Sequence, residues 1–96
     1  MDIKRGDVVR SLAGHDKDTL FCVVDTEGDF LMLANGKERK LNSPKRKRVK
    51  HAQRAGSSDH PVFLRLSAGE PVGDNEVRKA LAAFRDERNL QQSRRE

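Results

Sequence analysis

Three observations predict a mainly β fold, a small barrel followed by a C-terminal helical appendage. Short runs of apolar and β-branched residues, separated by glycine-containing turns, occupy the first half of the chain. An apolar stripe at the 3.6-residue period occurs only near the C-terminus, after residue 73. With 96 residues, 34% of them hydrophobic, the chain can bury one small core and an appendage but not two independent cores. The expected division is a barrel over residues 1–55 that ends in a basic segment, and a short helical tail over 56–96.

Asp7-Val8-Val9-Arg10-Ser11-Leu12, opened by Gly6, has the mixed polarity of a half-buried strand. A loop, Ala13-Gly14-His15-Asp16-Lys17-Asp18, interrupts it. Leu20-Phe21-Cys22-Val23-Val24-Asp25 is rich in strand formers and too short for a helix, so a second strand follows. Residues 26–29 turn the chain into a third strand, Phe30-Leu31-Met32-Leu33-Ala34. Asn35-Gly36 is a two-residue hairpin signal, because both central positions of such a turn need positive φ. The return strand is then Lys37-Glu38-Arg39-Lys40-Leu41, with Ala34 opposite Lys37, Arg39 facing Met32 and Leu41 facing Phe30. Consecutive apolar positions in the second and third strands imply that both of their faces are covered. A fifth, closing strand is expected around Arg48-Val49-Lys50-His51, with Val49 as its apolar anchor.

In the tail, Ser58-Asp59-His60-Pro61 reads as a helix start, with one or two turns over 62–67 closed by Gly69. Asp74-Asn75 can cap a longer helix over 76–88. Its stripe, Val77, Ala80, Leu81 and Phe84, needs a partner, and the outer face of the second and third strands is the nearest. Residues 55–58 read as a flexible joint and 91–96 as a fraying end.

Charge carries the functional argument. Residues 37–54 hold nine Lys or Arg against Glu38 alone. Residues 1–36 hold four against seven acidic residues, and 55–96 balance, so the formal excess of +5 is concentrated in one segment. Such a block suits a polyanion. No apolar run approaches the roughly 20 residues of a membrane span, and the N-terminus lacks the apolar core of a secretion signal. A cytoplasmic location is expected, and the single Cys22, inside an apolar run, agrees.

The residues Lys4-Arg5-Gly6-Asp7-Val8-Val9-Arg10, the loop from Ser11 to Asp18 with its Gly14 and Lys17, and Leu20-Phe21-Cys22-Val23-Val24 resemble the KOW motif of ribosomal proteins and transcription elongation factors. Many members have a glycine after the lysine, where this chain has Asp18. Through Leu41 to His51, and again through Asn75 to Leu81, the chain resembles the bacterial KOW-domain RNA-binding proteins that are similar to a large-subunit ribosomal protein of archaea and eukaryotes. The resemblance implies an SH3-like barrel that binds RNA, ribosomal RNA in particular; ribosomal proteins as further partners and a monomeric state are also expected.

Chemistry supports RNA independently. Clustered Lys and Arg neutralise phosphates and release counterions without reading sequence. Arg46, Arg48 and Arg54 offer guanidinium forks suited to phosphate. Gly14 would let the loop backbone approach a phosphate, with His15 and Lys17 beside it. The candidate RNA-binding residues are Arg10, Gly14, His15, Lys17, Lys37, Arg39, Lys40, Lys45, Arg46, Lys47, Arg48, Lys50 and Arg54. All four phenylalanines fall at packing positions, so recognition by shape and backbone is expected rather than base stacking.

Other readings stand beside this one. The basic run can be a solvated, disordered segment or a localisation signal, and Gly14 an ordinary turn glycine. A protein-interaction adaptor using the barrel or the tail helix is the alternative function. Membrane attachment lacks an apolar or lipid anchor. His15, His51, His60 and Cys22 show no metal-ligand spacing, the carboxylates of residues 25–29 do not fit a calcium loop, and no glycine-rich phosphate loop opens a helix. Neither a cofactor nor an enzymatic activity is expected.

Overall fold

The structure, a computed structural model, describes residues 3–56 and 59–93. Five strands, β1 (Val8–Ser11), β2 (Leu20–Glu27), β3 (Phe30–Ala34), β4 (Lys45–Arg48) and β5 (Ala52–Gly56), form one antiparallel sheet in the order β4-β3-β2-β1-β5. A 3-10 turn, Val49–His51, joins β4 to β5, and two helices follow, α1 (Pro61–Ser67) and α2 (Asp74–Ser93). The fold is mainly β, small and barrel-like, as expected.

Alternation along β1 and β2 divides the apolar residues into two clusters. Val9, Phe21, Val23, Leu31 and Leu33 fill the inside of the curled sheet. Val8 and Cys22 point to the opposite face, where they meet Val62, Phe63 and Leu66 of α1 and Val77, Ala80, Leu81 and Phe84 of α2. The α2 stripe is therefore buried as expected, but its partners are β1 and β2 rather than β2 and β3. The outer face of β3, Phe30 and Met32, is only half-buried.

The expected return strand over 37–41 is a loop. Asn35 Oδ1 accepts from the N–H groups of Lys37 and Arg39, both at 3.0 Å, and the N–H groups of Asn35 and Gly36 donate to Arg39 O at 2.9 and 3.0 Å. These local bonds consume the backbone groups that a hairpin ladder would need. Gly36 does take positive φ (+77°), and it also lies against the start of α2, where a Cβ would come 2.1 Å from Asp74 O. Leu41 N–H donates to Asp74 Oδ1 at 2.8 Å. The loop is tied to the helix, and β3 pairs instead with β4, as Phe30↔Arg48, Leu31↔Lys47, Met32↔Arg46 and Leu33↔Lys45.

The closing strand is displaced as well. The residues expected to form it are the end of β4 and the 3-10 turn, whose Val49 N–H donates to Asp29 O at 2.8 Å. β5 then pairs with β1 over Ser11↔Ala52 to Val8↔Gly56. Val49 still anchors against the inner cluster. Ala55 and Gly56, expected in a joint, belong to β5, and the rest of that joint, residues 57–58, lies outside the described residues.

α1 starts as expected: His60 Nδ1 accepts from Val62 N–H at 3.2 Å, Pro61 takes the first turn, and Gly69 (φ +79°) follows the end. Asp74, expected as a cap, is the first residue of α2, and its Oδ1 is the acceptor for Leu41. Glu76 reaches back instead to accept from Gly73 N–H at 3.0 Å. An ion pair with Arg65 ties Glu76 to α1, and these two donors hold the Glu76 carboxyl below its ordinary value. α2 continues through Ser93, past the expected end at residue 88, and the remainder of the expected fraying end, 94–96, lies outside the described residues.

Candidate nucleic-acid interface

β4 sets out its charges by strand alternation. Lys45 and Lys47 pair with Leu33 and Leu31 and share their inward face, whereas Arg46 and Arg48 pair with Met32 and Phe30 and face outward. Lys47 is only 9% exposed. Its Nζ donates to Ala13 O at 3.1 Å and lies 3.5 Å from Asp16 Oδ1. Lys45 forms an ion pair with Asp16 Oδ2, and the Ser11 hydroxyl donates to Asp16 Oδ1 at 2.7 Å. Burial opposes ionisation of Asp16, but the hydrogen bonds from Lys45 and Ser11 and the charges of Lys47 and Lys45 outweigh it and bring the carboxyl down to about 2. Lys45 and Lys47, read from the sequence as exposed phosphate ligands, are thus engaged within the fold, because an edge strand must turn every second residue toward the core.

Arg46 and Arg48 remain outside. Their guanidinium carbons lie 3.7 and 4.8 Å from the centroid of the Phe30 ring, within cation–π range. Arg46 also lies 3.6 Å from Glu27 across exposed surface. Phe30, assigned from sequence to packing, is half-buried and orders the two arginines. The signal for this was the β3–β4 register, which the Asn35-Gly36 hairpin reading had shifted. Lys50 is exposed near Arg48, and both border a recess of about 420 Å³ beside Val49.

The remaining candidates fall into two groups. His15, Arg39 and Lys45 border a second recess, of about 360 Å³, between the 12–19 and 35–44 loops. Lys37, Arg39 and Lys40 are exposed on the latter loop, with Glu38 3.8 Å from Lys37. Gly14 and Lys17 are exposed on the former, and a Cβ on Gly14 (φ +85°) would meet nothing closer than 3.7 Å. Asp18 adopts φ +72°, a left-handed conformation that glycine enters more readily. Arg10 and Arg54 lie apart, on β1 and β5 toward α2, where Arg10 donates to Gln53 Oε1 at 2.6 Å and Arg54 lies 3.3 Å from the buried Asp7. Arg85 and Arg88, not singled out from the sequence, stand beside them.

No family model matches the chain, and no curated protein matches it. Function therefore rests on the residues themselves. Among the described residues, no three His, Cys, Asp or Glu side chains are placed to hold a metal ion, and no helix is long and apolar enough to cross a membrane. Burial pushes the Cys22 thiol up to about 12, so it is a packing residue rather than a nucleophile.

Proposed function

We propose that this chain is a non-catalytic RNA-binding protein of the KOW type, with an SH3-like barrel that contacts RNA through phosphates and shape. The observation that carries this reading is the outward face of β4, where Arg46 and Arg48 are ordered on Phe30 and exposed, with Lys50 and the lysines and Arg39 of the 35–44 loop as further exposed cations. Guanidiniums held in place lose less entropy on binding a phosphate than free ones. The barrel assignment draws support from a meander of short strands whose last member returns to pair with the first. The proposed ligand is ribosomal RNA of the large subunit or of its assembly, in the cytoplasm. The adaptor alternative loses its tail-helix stripe, because Val77, Ala80, Leu81 and Phe84 are all buried on the sheet and on α1.

The test is a salt titration of binding to a short RNA duplex. Arg46→Ser/Arg48→Ser should lower the log–log slope by about 1.4 to 1.8, at 0.7 to 0.9 per lost phosphate contact, while remaining folded. A folded variant with wild-type affinity and slope would remove the reading. For the ribosomal assignment, the protein should cosediment with large-subunit particles in gentle lysates and be released by RNase; cosedimentation that survives digestion would favour the adaptor.

A further inference from the structure

Four arginines line one groove on the helix-covered side of the sheet. Arg10 of β1, Arg54 of β5 and Arg85 and Arg88 of α2 line a groove of about 330 Å³, floored by Leu20, Ala55 and Phe84. The groove exists because α2 packs on the helix-covered face of the sheet, leaving a cleft beside the buried Phe84. Glycine in β5 contributes to this close approach: a Cβ on Gly56 would lie 3.3 Å from the Phe84 ring and 2.7 Å from the Arg88 guanidinium.

Among the described residues, charge in the groove is poorly compensated. Asp7 ion-pairs with Arg54, while among the described residues Arg10 has only the neutral Gln53 as a side-chain acceptor. Arg88 rests on the Phe84 ring at 5.1 Å, and Arg85 is exposed without a carboxylate partner among the described residues. On β4, by contrast, the two inward lysines are matched by Asp16. Guanidiniums brought together from three elements repel one another, and an anion seated between them relieves that repulsion and uses their planar forks. The apolar floor accommodates a ring, and the volume lies at the small end of ligand pockets, suited to a single nucleotide unit rather than an extended chain.

We propose that this groove is a second phosphate site that takes one nucleotide unit of RNA, its phosphate held by Arg10, Arg85 and Arg88 and its ribose lying over Leu20 and Ala55. The identity of the ligand as RNA rests on the function proposed above; the anion chemistry does not. The full chain, Arg85→Ser/Arg88→Ser and Arg46→Ser/Arg48→Ser are titrated with a short RNA duplex over a salt series, with helical circular dichroism as a check on folding. The groove variant is expected to lose about 1.4 to 1.8 of log–log slope, independently of the β4 variant. Arg85→Gln, which removes no packing on Phe84, should lose about 0.7 to 0.9. If the groove variants keep the wild-type affinity and slope while the β4 variant loses both, the groove is not a phosphate site and the RNA reading stands. If the wild-type chain does not bind the duplex, the RNA reading falls. Adenosine monophosphate then decides the groove: nuclear magnetic resonance shifts at Arg85 and Gln53 on its addition would assign a free nucleotide in place of RNA, and their absence would overturn the site.

Discussion

Asp16 is the counter-ion for two lysines that the strand period turns inward. Asp16→Asn would strand Lys47 with a much weakened partner in a nearly buried position. Equilibrium denaturation should show a loss of about 3 kcal/mol, the low end for breaking a buried pair. The folded Asp16 titrates near 2 against an ordinary 3.8, so its stabilisation is complete above the ordinary value and is lost as pH falls through the folded one. Acid unfolding of the wild type should therefore steepen below pH 3.8, and Asp16→Asn should flatten that limb. Two glycines give a second contrast. Gly14→Ala meets only the left-handed strain, about 1 to 2 kcal/mol, whereas Gly36→Ala must also displace the backbone of α2 at Asp74 and should cost about 3 kcal/mol or more. Equal losses at the two positions would contradict the close approach. The sequence marks both glycines as turn residues, but the contact behind Gly36 joins positions nearly forty apart in the chain, and no local pattern records it. The pairing of Asp16 with Lys45 and Lys47 was hidden for the same reason.

At the level of elements, apolar patterning was enough to locate β1, β2, β3 and both helices, because each buries a periodic face. β4 escaped, although Lys45-Arg46-Lys47-Arg48 alternates with a strand's period of two, since both alternating residues are cationic and a hydrophobicity pattern cannot tell them apart. The Asn35-Gly36 pair does turn the chain, but only Gly36 takes positive φ and no tight hairpin forms, because the Asn35 side chain and the start of α2 claim the backbone first. The α2 stripe yields a direct test. Phe84 is buried among residues of the sheet and α1, so Phe84→Ala should cost about 3 to 5 kcal/mol by chemical denaturation. A loss well under 1 kcal/mol would show that α2 does not pack on the sheet in solution.

For the molecule as a whole, the neighbours Val8 and Val9 point into different apolar clusters, and β2 likewise divides Phe21 and Val23 from Cys22. Helices and sheet are therefore expected to unfold together rather than as separate units. Cys22, fully buried with its thiol pushed up to about 12, reports on this. A thiol reagent should leave the native chain unmodified, and its reaction in denaturant should share one midpoint with the loss of helical circular dichroism. Labelling that precedes helix loss would separate the two clusters. The arrangement of β4 has one further consequence, for the chemistry of the surface. An acylating reagent or an acetyltransferase neutralises accessible amines, and guanidinium is not among its targets. Lys37, Lys40 and Lys50 offer such amines, but in β4 Lys47 keeps its amine inside the fold and Lys45 holds its own against Asp16, leaving only arginine on the outer face. The positive charge of that face is consequently fixed by the fold, out of reach of the commonest modification that erases charge from basic segments.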